Sequence, residues 1–262
     1  MKGLFSALVI LALGVFEVLA GDMTLTSTTA NGDRMVSERL SVTAGRLAIT
    51  QGDAGCVVDM ASGKMWMFNM ARREYFETSF QELAAYGGRL LPKSKLARKI
   101  MLRMFSDAKV RKTKERKSIA GYECELYEEE TAGVIYRIWA TKALVPPPSF
   151  CETMEKIYSS TSPLGDPLSP IYAAMRKARA MPLSITISGT PVSLAGTLSA
   201  ALTNIERAMG MPAPSSPPPA DEVLQSSEVI EVSLDPIPGE RFQLPSDLQQ
   251  VASPFARNKE KG

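Results

Sequence analysis

Histidine is absent from all 262 residues. That absence excludes Ser-His-Asp triads, Cys-His dyads, His-based metalloprotease motifs and most zinc sites. The three cysteines, Cys56, Cys124 and Cys151, are too few and too scattered for a metal-ligand spacing. No G-x-S-x-G elbow and no glycine-rich phosphate loop occurs. Glu128, Glu129 and Glu130 form a carboxylate run, but it sits at a strand end and reads as a solvated approach to a turn. Catalytic residues, metal ligands and cofactors are therefore not expected, and the chain reads as a non-enzyme. Aromatic residues make up only 7% of the chain, and none interleaves with its basic run. Nucleic acid is for that reason not an expected partner.

Composition is otherwise that of a folded globular domain, with 45% hydrophobic residues, 22% charged residues and a net charge of +2. The first twenty residues differ from the rest: Lys2, an apolar run from Leu4 to Leu13, then Val18-Leu19-Ala20 with side chains suited to a cleavage pocket. This is the pattern of a secretory signal peptide. Glu17 interrupts the run before it reaches the ~20 apolar residues that would span a bilayer. Cleavage near Ala20 is expected to release a soluble periplasmic or secreted protein. In that compartment one disulfide with one leftover thiol is the simplest arithmetic. Cys124 with Cys151 is the favoured pair, and three separate buried thiols are the alternative.

Turn signals recur at short intervals in the mature chain: Asn31-Gly32-Asp33, Ala44-Gly45, Gly52 to Gly55, and Ser62-Gly63. They delimit strand-length segments 23–29, 34–43, 46–50, 56–60 and 64–69. Further strands are expected at 109–117, 119–128, 134–141, 183–187 and 227–234. In 122–138, Tyr122, Cys124 and Leu126 alternate with Glu123 and Glu125 before Thr131-Ala132-Gly133 reverses the chain into Val134, Tyr136 and Ile138. This predicts a β-hairpin with one dry and one wet face. Met65 to Met70 shows little alternation, which fits a strand covered on both sides.

The period changes to that of helices between Ser79 and Phe105. Phe80, Leu83 and Ala84 mark a first short helix, ended by Gly87-Gly88 and Pro92. A second, Ser94 to Phe105, gathers Leu96, Ile100, Met101, Met104 and Phe105 on one side and Lys95, Arg98, Lys99 and Arg103 on the other. The run from Lys93 to Lys117 holds eleven basic residues against Asp107 and Glu115. Two readings stand side by side: a surface for anionic lipid headgroups, each basic group worth about 1 kcal/mol there, and the solvated back of an ordinary packed helix. Helices are also expected at 151–159 and 169–180. An insertion at about 188–225 contains the proline-rich stretch 212–219 and offers a surface for a protein partner. Residues 253–262 read as a disordered tail.

Two segments carry a family resemblance. Ser118-Ile119-Ala120-Gly121-Tyr122-Glu123-Cys124-Glu125-Leu126-Tyr127, followed by Trp139-Ala140-Thr141-Lys142, resembles the signature of an exported family of unknown function in the LolA/LolB-like lipoprotein-carrier superfamily. Lys64-Met65-Trp66 with Arg72 to Glu77, and the closing Phe242-Gln243-Leu244-Pro245, resemble further parts of it. The resemblance implies an α+β, mostly β domain over 21–252: an incomplete antiparallel β-barrel with helices plugging its concave face. It also implies an apolar cavity for lipid or acyl chains. Leu96, Ile100, Met101, Met104 and Phe105 would form one wall of it, Trp66, Phe68 and Trp139 the other, and Arg98, Lys99 and Arg103 would face an anionic membrane. The competing expectation is a non-catalytic envelope scaffold whose barrel is filled by its own helices.

Overall fold

Strand β1 (Met23–Asn31) opens a meander through β2 (Arg34–Val42), β3 (Arg46–Gln51), β4 (Ala54–Asp59), β5 (Lys64–Asn69) and β6 (Glu74–Ser79). In this computed structural model the described residues are 21–31, 34–90, 94–95, 99, 109–131, 134–161, 168–189 and 223–256. After helix α1 (Phe80–Leu90) the sheet resumes with β7 (Arg111–Ile119), β8 (Tyr122–Thr131) and β9 (Val134–Thr141). Helices α2 (Pro148–Thr161) and α3 (Leu168–Ala178) follow, then β10 (Met181–Gly189), β11 (Val223–Ser233), a one-turn 3-10 helix (Gly239–Phe242) and β12 (Gln249–Gln250). The expected strands are all present, with ends shifted by a few residues. Strands β6 and β12 were not foreseen, and α1 runs through Gly87-Gly88 instead of stopping there.

All twelve strands form one sheet in the order β12-β6-β5-β4-β3-β2-β1-β11-β10-β9-β8-β7, and it does not close. Pairing is antiparallel except between β12 and β6. The fold is therefore mostly β, with one open sheet and, among the described residues, three helices. Strands β10 and β11 are direct neighbours, so residues 190–222, which lie outside the described residues, connect two paired strands. Of the segment expected as an insertion, 188–225, its first two residues belong to β10 and its last three to β11.

Register assigns the faces. Leu25 pairs with Leu40, Leu40 with Ile49, Ile49 with Cys56, Cys56 with Met67 and Met67 with Phe76. These side chains share the face on which the helices supply Leu83, Phe150, Met154, Ile171, Tyr172 and Met175, all in one buried cluster. Each fully buried Leu, Met or Phe contributes about 1.5–3 kcal/mol of transfer free energy. Helix α1 starts where Ser79 Oγ accepts the Glu82 amide at 3.2 Å, half of a capping box. On the opposite face Ala48, Val57 and Phe68 are buried together with Phe242, and Trp66, Tyr75, Ile237, Leu244 and Leu248 pack around them. Strand β5 is thus covered on both sides, as its apolar run indicates.

The hairpin β8–β9 departs from expectation. Leu126 pairs with Trp139 and Tyr127 with Ile138, so Cys124 and Leu126 lie on the face away from Tyr136 and Ile138. Both faces are covered, with Leu126 and Tyr127 both buried. Thr131 pairs with Val134, and a one-residue offset in register exchanges the faces of a strand. The turn β7–β8 uses Ala120 and Gly121 at φ 48° and 84°, the positive values that a type I′ hairpin requires.

The C-terminal segment is a strap. Asp22 Oδ2 accepts the Ile237 amide at 2.8 Å, Phe242 packs on the outer face, and β12 adds to the β6 edge. The strap then crosses to the helix side, where Phe255 is buried between Phe76 and Tyr86 with ring centroids at 5.7 and 5.2 Å. Arg89 Nη2 donates to the Phe255 carbonyl at 2.8 Å. The tail expected to be disordered from Ser253 is instead anchored through Ala256, because an aromatic side chain near its start fills a core site. Phe255→Ala is expected to cost about 3–5 kcal/mol, read as a lower denaturation midpoint in urea. An unchanged midpoint would show that the strap end does not contribute.

Candidate functional site: a groove on the outer face

The basic run resolves first. In β7, Arg111 bonds Glu128 at 2.7 Å, Lys112 bonds Glu125 at 2.7 Å, Arg116 bonds Glu123 at 2.9 Å and Lys117 bonds Glu228 at 2.7 Å. Arg137 on β9 reaches Glu128 from the other side at 3.0 Å. Glutamates of β8 pair with Arg111, Lys112 and Arg116 of β7, and this cross-strand ladder, with Lys117 on Glu228, accounts for four of the five basic β7 charges that a helix alone left unexplained. Strand β7 is a sheet edge, and its charges discourage edge-to-edge pairing. Lys95 and Lys99 are exposed, while Arg98 and Arg103 lie outside the described residues.

Lys117 also marks the curvature of the sheet. Its register partner is Cys124, and on the same face follow Leu126, Trp139, Ser184 and Glu228 across β8 to β11. Strands four places apart lie about 19 Å apart in a flat sheet, yet Lys117 Nζ meets Glu228 at 2.7 Å. The sheet therefore rolls back toward itself over β7–β11. The Lys117 ammonium stands 5.0 Å from the centre of the Trp139 ring, so Trp139 belongs to this roll.

The expected Cys124–Cys151 disulfide is absent, and all three cysteines are free thiols. Cys124 faces away from α2, with its Sγ donating to the Tyr122 carbonyl at 3.5 Å, whereas Cys151 is buried on α2 itself. Burial pushes the Cys124 thiol up to about 11 and the Cys151 thiol up to about 12.

Beneath the helices the described sheet face is covered by buried side chains. Phe150, Ile171, Tyr172 and Met175 are buried at 0–3% exposure, and Tyr158 stacks on Tyr172 at 5.4 Å. The same face carries buried Ser27, Thr29 and Glu129, together with Glu38, whose carboxyl is raised by burial. Of the residues expected to wall a cavity here, Leu96, Ile100, Met101, Met104 and Phe105 lie outside the described residues. Trp66 and Phe68 turn to the outer face.

On that outer face is a cleft of about 370 Å³, lined by Arg46, Val57, Val58, Asp59, Trp66, Phe242, Gln243 and Leu244. Strands β3, β4 and β5 form its floor and the strap its wall. The Trp66 indole is held by its Nε1–H, which donates to Glu77 at 3.2 Å, and Glu77 is held in turn by Lys64 at 3.1 Å. Behind it the Phe68 ring lies over Gly55, its cross-strand partner, where a Cβ would meet ring carbons at 2.8 Å. The sequence singled out Trp66, Phe242 and Leu244, but not their meeting, which depends on the path of the strap. Arg46 carried no sequence signal.

No family model matches the chain, and no curated protein does. Among solved structures it is similar to an uncharacterized conserved protein from Thermus thermophilus, at 10% identity and a TM-score of 0.46, covering 91% of this chain and 94% of that one. MucB in its complex with MucA from Pseudomonas aeruginosa is 8% identical at a TM-score of 0.42, covering 88% of this chain and 58% of that one. PNGF-II is 10% identical at a TM-score of 0.40, covering 89% of this chain and 32% of that one. These likenesses are distant, and the functional reading rests on the chain's own residues.

The ladder sets a pH dependence. Hydrogen bonds from Arg111 and then Arg137 hold the Glu128 carboxyl below its ordinary range. A depressed carboxylate stabilises the fold at neutral pH and loses that contribution as pH falls through its folded value. Glu128→Gln is expected to lower stability by about 1 kcal/mol at neutral pH, and the gap from wild type to narrow in acid below pH ~4. Denaturation series at both pH values check this.

Proposed function

We propose that the chain is an exported, non-catalytic protein with a LolA-like open barrel that binds a hydrophobic ligand, a lipid or acyl chain. The observation that supports this is the outer cleft, which falls in the usual volume range of ligand pockets and is walled by Val57, Trp66, Phe242 and Leu244. The ligand is assigned to this cleft and not to the space beneath the helices, because the described sheet face there carries Glu129, Ser27 and Glu38. An acyl chain would leave such groups poorly solvated. Export is proposed from the first twenty residues. Among the described residues no helix is long and apolar enough to cross a membrane.

The burial of Phe150, Ile171, Tyr172 and Met175 beneath the helices favours a second reading, an envelope interaction module that meets a protein partner through the 190–222 connection. Native mass spectrometry of protein exported through its own leader and purified without detergent separates the two. A lipid-mass adduct lost on denaturation is expected for a binder, and a bare mass would sink that reading. The denatured mass should carry no two-hydrogen deficit, since the thiols are free.

The paired charges of β7 leave Arg98, Lys99 and Arg103 as the groups proposed to meet an anionic membrane. Replacing all three with glutamine is expected to reduce sedimentation with vesicles containing phosphatidylglycerol. Equal sedimentation would remove the membrane surface as a partner.

A further inference from the structure

Resting on the hydrophobic-ligand reading, we propose that the outer cleft is specific for an amphipathic carboxylate, such as a medium-chain fatty acid, whose headgroup is held by Arg46 and whose chain lies along Trp66, Phe242 and Leu244. The cleft is not uniformly apolar. Arg46 and Asp59 are register partners at its end, yet they form no ion pair with each other. Asp59 Oδ1 instead accepts the amides of Ala61 at 3.1 Å and Ser62 at 2.8 Å, and those bonds keep it ionised, the one from Ser62 first. Its carboxylate is held mainly by the turn that ends β4, and the nearby Arg46 charge adds a weaker attraction. Glu77, the other acid beside Trp66, is likewise engaged, by Lys64 and the indole.

Arg46 enters none of the ion pairs formed among the described residues. Its backbone is fixed, because the Arg46 amide donates to Thr43 Oγ1 at 3.1 Å and its carbonyl accepts the Thr43 amide at 2.9 Å. A guanidinium outside the ion pairs formed among the described residues, anchored at the root and bordering a cleft walled mostly by apolar side chains, with Asp59 and Gln243 as its other polar ones, suits one negative head with an apolar tail. The fork of a guanidinium matches a carboxylate in two parallel hydrogen bonds. A neutral chain of the same length forgoes those bonds, so the cleft should discriminate by headgroup.

The chain has two tryptophans, Trp66 and Trp139, and only Trp66 lines the cleft. In a Trp139→Phe background, a bromine-bearing fatty acid should quench Trp66, and displacement by dodecanoate or dodecanol then reads affinity. Dodecanoate is expected to bind about tenfold more tightly than dodecanol, and Arg46→Gln to abolish that difference. Should Trp139→Phe not fold, calorimetric titration of the native chain and of Arg46→Gln makes the same comparison. Equal binding of acid and alcohol, unaffected by Arg46→Gln but lost in Leu244→Glu, would overturn the carboxylate assignment and leave the apolar cleft standing. No quenching and no heat with either probe would overturn the cleft as a site. A lipid adduct in native mass spectrometry would then have to reside elsewhere on the protein.

Discussion

The antiparallel pairing of β1 with β11 is the constraint on which the rest of the structure depends. It is the one seam between the meander β1–β6 and the meander β7–β11, and it joins residues about two hundred positions apart, Thr24 with Ser233 through Ala30 with Ser226. Side chains reinforce it: Thr29 Oγ1 donates to Ser227 Oγ at 3.1 Å. A bulge between Thr26 and Ser27 adds local twist, and on either side of it Leu25 meets Val232 and Ser27 meets Val229. The two half-sheets thereby present their apolar faces to the same set of helices. A slip of one residue here would turn one meander's core face toward the other's exterior. The seam must form late in sequence terms, since its closure entropy is paid across the whole domain.

That seam also explains where sequence reasoning succeeded and where it failed. The strands of the first meander were readable because each is bounded by Gly, Asn or Asp at hairpin spacing, and local turn chemistry does not depend on distant partners. Faces were another matter. The alternation of Tyr122, Cys124 and Leu126 was sound, but whether they share a side with Ile138 depends on the register of β8 against β9, and periodicity does not encode register. The disulfide expectation failed for the same reason, since it needed Cys124 on the α2 side of its strand. Phe255 was invisible because the stretch after it, Ala256-Arg257-Asn258-Lys259, reads as a solvated terminus. A single aromatic residue outweighs that composition when a core site between Phe76 and Tyr86 is there to receive it.

Charge followed a similar logic. Read along the chain, Lys93 to Lys117 is a basic block that invites a polyanion; read across the sheet, its second half is neutralised by Glu123, Glu125, Glu128 and Glu228. Exposed pairs of this kind contribute little stability each, and here they also serve at an edge. β7 is charged and its pairing with β8 is interrupted between Lys112 and Arg116, whereas β6 at the opposite side is covered by the strap. Both edges of a twelve-stranded sheet are thus guarded, one by charge and irregularity, the other by a piece of the same chain.

The strap therefore serves two ends, and this bears on function. A segment needed only to cover β6 could run along the edge as β12 does. This one crosses the outer face first, and in doing so it places Phe242 and Leu244 opposite Val57 and Trp66 without filling the space between them. Burying Phe242 explains the contact with Ala48 and Phe68; it does not explain a cleft left open beside it. Interiors are packed to near-crystalline density as a rule, and the outer face keeps a cleft of about 370 Å³ beside Phe242. A cleft bounded by an indole hydrogen-bonded to Glu77 and by a guanidinium that forms no ion pair among the described residues is what the path of the strap leaves open, and the proposed binding role rests on it.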